Sequence, residues 1–186
     1  LHDAMKEGLI ISNPMERVTK VPKVIRREMN YLNHKEVVAL LKPENQWKPL
    51  WTLLVGTGLR LGEALGLQWK DINESAGTLK VNRSLKKVTG MGLIYQNPKT
   101  EKSRRTIFMP ATVVKALIRH KVGQSEHRLK LGSNWTDEDL VFPNEWGQPM
   151  EPSRVNRALK KTLPQAGIER HMRVHDLRHT AASLSL

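Results

Sequence analysis

Apolar residues recur at helical spacing over two stretches of the first third of the chain. Asn33 stands three residues before Glu36, a pairing that opens helices by reciprocal capping, and Val37, Leu40 and Leu41 follow on one face. Residues 47–55 form a second apolar run, with Trp51, Leu54 and Val55 predicted to point inward. A break at Gly56-Thr57-Gly58 leads into a short helix carrying Leu59, Arg60, Glu63, Leu65 and Leu67. Between 77 and 109 the pattern shortens to β-prone runs at 78–81, 93–96 and 105–109, separated by glycine, proline and polar residues. They predict a small three-stranded antiparallel sheet, with residues 97–103 as its last hairpin loop.

Helical spacing returns at 111–121, and the polar stretch 122–139 reads as an irregular, exposed connection. After a turn at Phe142-Pro143-Asn144 and Gly147, Ser153 is expected to cap a helix running through Lys161. Gly167 marks another turn, and a last helix starts around His175. The fold class expected is mainly α with a small three-stranded antiparallel sheet, an α+β domain. At the other end, residues 1–13 read as the last turns of a helix stopped at Gly8, and the basic stretch VTKVPKVIRREMN lacks any period. Residues 1–25 are therefore expected to be the tail of a preceding domain plus a linker, and residues 26–186 a second domain. The absence of an initiator Met agrees with a chain cut from something longer.

Charge narrows the functional classes. Lys and Arg number 31 against 18 Asp and Glu, a net charge of +13 in 186 residues. Such an excess costs self-repulsion and points to a polyanionic partner, nucleic acid before a membrane surface. With 39% hydrophobic residues and five tryptophans, expected to be core, the chain is no disordered basic tail. There is no cysteine, hence no disulfide or thiolate chemistry, which suits the cytoplasm. No apolar run approaches the ~18 residues that span a bilayer. Residues 1–13 also lack the continuous apolar core of a signal peptide.

The candidate chemistry lies in three segments. Arg60 and Glu63, at i and i+3, can meet on one helical face, and a carboxylate that orients a guanidinium prepares it for bidentate phosphate binding. An ordinary surface ion pair would look the same locally. In HDLRHT, His175 and Arg178 share a face, the first suited to proton handling near neutral pH and the second to a phosphate clamp; Asp176 suits a capping role. His171, His175 and His179 also invite a metal reading, but Arg170, Arg173 and Arg178 crowd them with positive charge, so no metal or other cofactor is expected. Lys99 stands in the predicted hairpin loop with Lys102, Arg104 and Arg105, and local sequence does not choose between Lys99 and Lys102 as a proton donor. Arg154, Arg157 and Lys161 make a basic stripe suited to backbone phosphates or to solvent.

Four segments, GTGLRLGEALGLQW, PKTEKSRRTIFMP, FPNEWGQPMEPSRVNRALKK and HDLRHT, resemble in that order the catalytic domain of tyrosine recombinases of the phage-integrase type. The likeness runs from about Tyr31 to Leu186. It implies that Arg60 and Arg178 hold the scissile phosphate, that His175 assists proton transfer, and that Lys99 protonates the departing 5′-oxygen. Glu63 would fix Arg60, and His179 would support the site. Lys102, Arg104, Arg105, Arg154, Arg157 and Lys161 would contact DNA. The resemblance further implies double-stranded attachment-site DNA and other recombinase subunits, in a tetrameric synapse, as partners, and a bacterial or phage-encoded protein of the cytoplasm, associated with the nucleoid. In such enzymes a tyrosine attacks the phosphate some tens of residues beyond the HDLRHT segment. Tyr31 and Tyr95 occupy other positions and the chain ends at Leu186, so a fragment that binds DNA without its nucleophile is expected. The rival is a non-catalytic DNA-binding module of the same fold.

Overall fold

The computed structural model describes residues 1–18, 30–97 and 105–184. Among these residues there are seven α-helices, α1 (His2–Lys6), α2 (His34–Leu41), α3 (Lys48–Thr57), α4 (Leu61–Gly66), α5 (Ala111–Leu131), α6 (Pro152–Gln165) and α7 (Val174–Leu184), and two small sheets. The strands are β1 (Ile72–Asn73), β2 (Thr78–Val81), β3 (Ser84–Val88), β4 (Gly92–Gln96) and β5 (Arg105–Phe108).

Helix α2 begins as its sequence predicts. Asn33 Oδ1 accepts from the Glu36 backbone N–H at 3.0 Å while Glu36 Oε2 accepts from the Asn33 N–H at 2.8 Å, so two orphan donors are satisfied reciprocally. Val37 and Leu40 are buried and Leu41 packs against the core from its edge. Helix α3 is the centre of the fold. Leu50, Trp51, Leu53 and Leu54 are each 1% exposed or less, and α2, α4, α5 and α7 all pack against it. The predicted break falls later than expected: Gly56 and Thr57 remain helical, and the chain turns at Gly58, whose φ of 62° is the left-handed cap that glycine adopts without a Cβ penalty.

The three-stranded antiparallel sheet is present, with different members. Its order is β1-β2-β5, and residues 93–96 belong instead to a separate hairpin of β3 and β4. β2 pairs directly with β5, Leu79 opposite Ile107 and Val81 opposite Arg105, so the β3–β4 hairpin is looped out between two paired strands. The predicted hairpin loop 97–103 lies, from residue 98 onward, outside the described residues. The hairpin is held against α4, because Gly62 and Gly66 expose bare helix backbone to β3. A Cβ on Gly62 would stand 2.6 Å from the Leu85 carbonyl oxygen.

Other boundaries differ for physical reasons. Helix α5 continues to Leu131, through half of the stretch expected to be irregular; those turns are mostly exposed, so burial imposes no apolar period on them. In helix α6 the N-cap position falls on Glu151, without a side-chain cap bond, rather than on Ser153, and Pro152 stands in the first turn, a position that needs no N–H. It runs past Lys161 to Gln165. Of the tryptophans, Trp51 is buried and stacks on Trp47 at 6.1 Å, whereas Trp146 is exposed and lies outside the core.

Several links fasten the chain's entry into this domain to its C-terminal part, among them a bond from Asn30 Nδ2 to the His171 carbonyl at 3.3 Å. The Leu32 N–H donates to Thr180 Oγ1 on α7 at 2.9 Å. Arg170 donates to the Tyr31 carbonyl at 2.8 Å and pairs with Glu36. No helix among the described residues is long and apolar enough to cross a membrane.

Candidate functional site

The site is built where the end of α3, the start of α4, strand β5 and helix α7 meet. Arg60 is the N-cap residue of α4, with extended backbone (φ −71°, ψ 147°). A guanidinium has no acceptor, so only one half of a capping box forms: Glu63 Oε2 accepts from the Arg60 N–H at 2.9 Å. The same carboxylate takes a hydrogen bond from Arg60 Nη1 at 3.2 Å. Glu63 is 7% exposed, whereas the Arg60 side chain is 61% exposed, so a buried anion holds the root of an outward-facing cation. The leucines of the same segment, Leu59, Leu65 and Leu67, are buried around them.

The surprise is Arg105. From the first residue of β5 it sends Nη1 to Glu63 Oε1 at 3.0 Å and Nη2 to Oε2 at 2.8 Å, a two-pronged pair. Burial pushes the Glu63 carboxyl up, but the hydrogen bonds from Arg105 and then Arg60 outweigh it and hold its pKa below the ordinary 4.5. Glu63 is thus an anion shared by two arginines.

Helix α7 brings the third. Asp176 Oδ2 accepts from the Arg173 N–H at 2.8 Å, the capping role expected of it. Half-buried Arg178 donates from Nη1 to the Gly58 carbonyl at 2.6 Å, only two residues before Arg60. Arg178 and Arg105 line one shallow concavity with Gly56, Gly58, Phe108 and Ala181. His175 is exposed one turn before Arg178, and its ring stands edge-on to the half-buried His179 at 5.2 Å. Arg178 is thus held by a carbonyl two residues from Arg60, and Arg60 by a carboxylate that Arg105 also grips; guanidinium groups anchored in this way are suited to binding an oxyanion.

The remaining predicted residues are more scattered. Lys99, Lys102 and Arg104 lie outside the described residues. Arg154 is paired with Glu145. Arg157 and Lys161 are exposed, and Arg157 faces a groove shared with Lys160, Arg170, His171 and Arg173. Lys160 is not among the sequence candidates, and Arg173 enters there only as positive charge beside the histidines, not as part of a groove. Among the described residues no three His, Cys, Asp or Glu side chains form a metal-holding group, and His171, His175 and His179 do not converge. Tyr95 is committed elsewhere: its hydroxyl donates to Glu138 Oε2 at 2.9 Å, and burial followed by that carboxylate pushes its pKa up. Arg83 covers the Tyr95 ring at 4.2 Å. Tyr31 is exposed at the entry to the domain.

Comparison with known proteins agrees with this geometry. The profile of the phage integrase family matches residues 30–184. A tyrosine recombinase XerC-like protein of Caldanaerobacter subterraneus is 32% identical over 97% of this chain and 50% of its own length. The ICEBs1 integrase of Bacillus subtilis is 28% identical over 97% of this chain and 49% of its own. The chain spans about half the length of these curated relatives. Among solved structures, the Tn1549 transposon integrase in complex with a circular intermediate DNA superposes with a TM-score of 0.78 over 98% of this chain and 62% of that one. At 19% identity, that likeness speaks for the fold.

Proposed function

Because this chain belongs to the phage integrase family, we propose that it forms the phosphate-binding part of a site-specific DNA recombinase that cuts and rejoins strands through a 3′-phosphotyrosyl intermediate. In this reading a tyrosine hydroxyl attacks the scissile phosphorus, the bond to the 5′-oxygen breaks, and that oxygen leaves with a proton. The protein-bound phosphodiester keeps the bond energy for rejoining, so neither a metal nor a nucleotide is consumed.

Arg60 and Arg178 hold the non-bridging oxygens and meet the extra negative charge of the pentacoordinate transition state. His175, exposed beside Arg178, bonds the same phosphate and handles a proton, with His179 behind it. Lys99 is assigned as the acid for the leaving oxygen. Glu63 keeps Arg60 in place. The attacking tyrosine is assigned outside these 186 residues, since Tyr95 is bound to Glu138 and Tyr31 stands at the domain entry. Lys102, Arg104, Arg157 and Lys161 contact backbone phosphates of double-stranded DNA, and Arg154 joins them by exchanging Glu145 for a phosphate. Residues 1–25 are the end of a preceding domain and its linker, and 26–186 belong to the catalytic domain. The assembly is a tetramer on attachment-site DNA, acting in the bacterial cytoplasm at the nucleoid.

The observation that carries this reading is the arginine cluster, with Arg178 bonded two residues from Arg60 and both anchored by partners other than solvent. The test is covalent capture. The full-length protein, mixed with its nicked attachment site, should give a detergent-resistant adduct whose proteolytic fragment carries phosphotyrosine. No adduct on that site, with DNA binding retained, would leave a non-catalytic DNA-binding module.

A further inference from the structure

Strand β5 contributes a group that the phosphate chemistry does not call for directly. Arg105 is fixed at both ends: its backbone is opposite Val81 in the β2–β5 ladder, and its guanidinium grips Glu63 with two bonds of 2.8 and 3.0 Å. Arg60, by contrast, holds that carboxylate through a single side-chain bond of 3.2 Å on a largely exposed side chain. We propose that Arg105 is a positioning residue, which clamps the Glu63 carboxylate in the one orientation that aims Arg60 at the scissile phosphate. This inference rests on the recombinase reading for its catalytic readout, and on geometry alone for its structural one.

The count of donors explains the need. An ionised carboxylate offers about four acceptor sites. Glu63 receives four N–H bonds, from the Arg60 backbone, Arg60 Nη1, Arg105 Nη1 and Arg105 Nη2. Half of them come from a residue 42 positions away in sequence. Remove Arg105, and a carboxylate that is 7% exposed keeps only the Arg60 donors. Its desolvation is then poorly offset, so it draws a proton or turns toward water. Either response frees Arg60 from its anchor while leaving its charge in place. Among the described residues the charged groups facing Glu63 are Arg60, from the start of its own helix, and Arg105, from β5; β3 presents the Ser84 hydroxyl and the Leu85 carbonyl to the same helix at Gly62. A direct phosphate contact by Arg105 would use the N–H groups it has left, whereas positioning uses those already bonded, and the two make different predictions.

The test compares R105Q and R105K with the natural sequence in two assays. In single-turnover cleavage of a nicked attachment site by the full-length protein at saturating DNA, R105Q should slow adduct formation by ~10²-fold, the scale of a misplaced reacting group. DNA affinity should stay within about twofold, because one of many backbone cations at most is removed. R105K, which keeps the charge without the fork, should recover part of the rate. In an R60K background, R105Q should add little, since its effect passes through Arg60. Carbon-detected NMR of the 1–186 chain should show the Glu63 carboxyl titrating at higher pH in R105Q than in the natural sequence. The proposal is overturned if R105Q cleaves at the natural rate, if its cost multiplies fully with that of R60K, or if the Glu63 titration does not move. A natural protein that forms no adduct sinks the recombinase reading instead, and the Glu63 titration then decides the positioning by itself.

Discussion

Arg178 Nη1 donates to the Gly58 carbonyl oxygen at 2.6 Å, joining the last helix to the left-handed cap of the central one. Backbone conformation rather than space favours glycine there: a Cβ at Gly58 would meet the Ala181 Cβ at 3.4 Å and the Arg178 Cγ at 4.0 Å, ordinary contacts, but the φ of 62° is left-handed. Gly58→Ala should therefore cost about 1–2 kcal/mol for the left-handed backbone alone. Urea denaturation measures it, and the same variant should weaken DNA cleavage more than DNA binding, because the strained turn carries the Gly58 carbonyl that holds Arg178.

Glycines elsewhere should respond with opposite signs. Gly62→Ala drives a methyl group to 2.6 Å from both the Leu85 carbonyl and the Ser84 hydroxyl, and overpacking of this kind costs about 1–3 kcal/mol. Gly123 lies inside α5 with nothing within 4 Å of the added Cβ, so Gly123→Ala should stabilise by roughly 0.5–1 kcal/mol. Thermal unfolding of the two variants side by side checks both signs.

The entry of the chain into the domain hangs on a buried hydroxyl. Thr180 Oγ1 accepts from the Leu32 N–H, and Thr180 is 0% exposed. Thr180→Val keeps the volume and orphans that N–H, a cost of about 1–3 kcal/mol. Thr180→Ser keeps the bond and should cost less. Denaturant midpoints for the pair separate the hydrogen bond from the packing.

How much of this was legible beforehand follows the range of each interaction. The α2 capping box could be read because Asn33 and Glu36 are three residues apart, and the inward face of α3 because Trp51, Leu54 and Val55 obey one period. Asp176 as a cap and the Arg60–Glu63 contact were legible for the same reason. The strand partners were not: β2 closes on β5 across a whole hairpin, and no local pattern distinguishes that from pairing with β4. The second half of α5 was hidden because an exposed helix carries no apolar period. Arg105 looked like one more cation in KSRRT, since nothing near it in sequence announces a carboxylate 42 residues earlier. That contact joins a strand to a helix cap, and only the folded chain brings the two together.

Acid should destabilise the domain in two windows. His120 Nε2 contacts the Val141 carbonyl at 2.6 Å, and its ring stacks on Phe142; burial lowers its pKa below the ordinary 6.5, with the carbonyl opposing in part. The unfolded chain then binds a proton that the folded one resists, so stability is full above about 6.5 and falls as pH drops toward the folded value. Glu63 has a folded pKa below 4.5, so its contribution is present above 4.5 and is lost as pH falls through the lower folded value. Urea midpoints measured from about pH 8 to about pH 2 should decline first in the histidine window, and His120→Gln should flatten that first decline without touching the second.

DNA affinity should report the basic surface rather than the clamp. Arg157, Lys160 and Arg173 face one groove, and removing a cation that neutralises one phosphate should reduce the slope of log affinity against log salt by about 0.9. Replacing Arg157 and Lys160 with Gln, alone and together, should lower the slope stepwise with little sequence preference. An unchanged slope places the DNA elsewhere.

The most direct measurement of the central claim is the rate of strand cleavage, set against DNA affinity, for Arg60→Ala and Arg178→Ala in the full-length protein. If the two arginines grip the scissile phosphate, each variant should slow single-turnover cleavage ~10²–10³-fold or more, as removal of an oxyanion donor does. Binding to the intact site should change only a few-fold, because the other cations still neutralise the backbone. Cleavage near the natural rate, or a slowing that weaker binding fully explains, would contradict the claim.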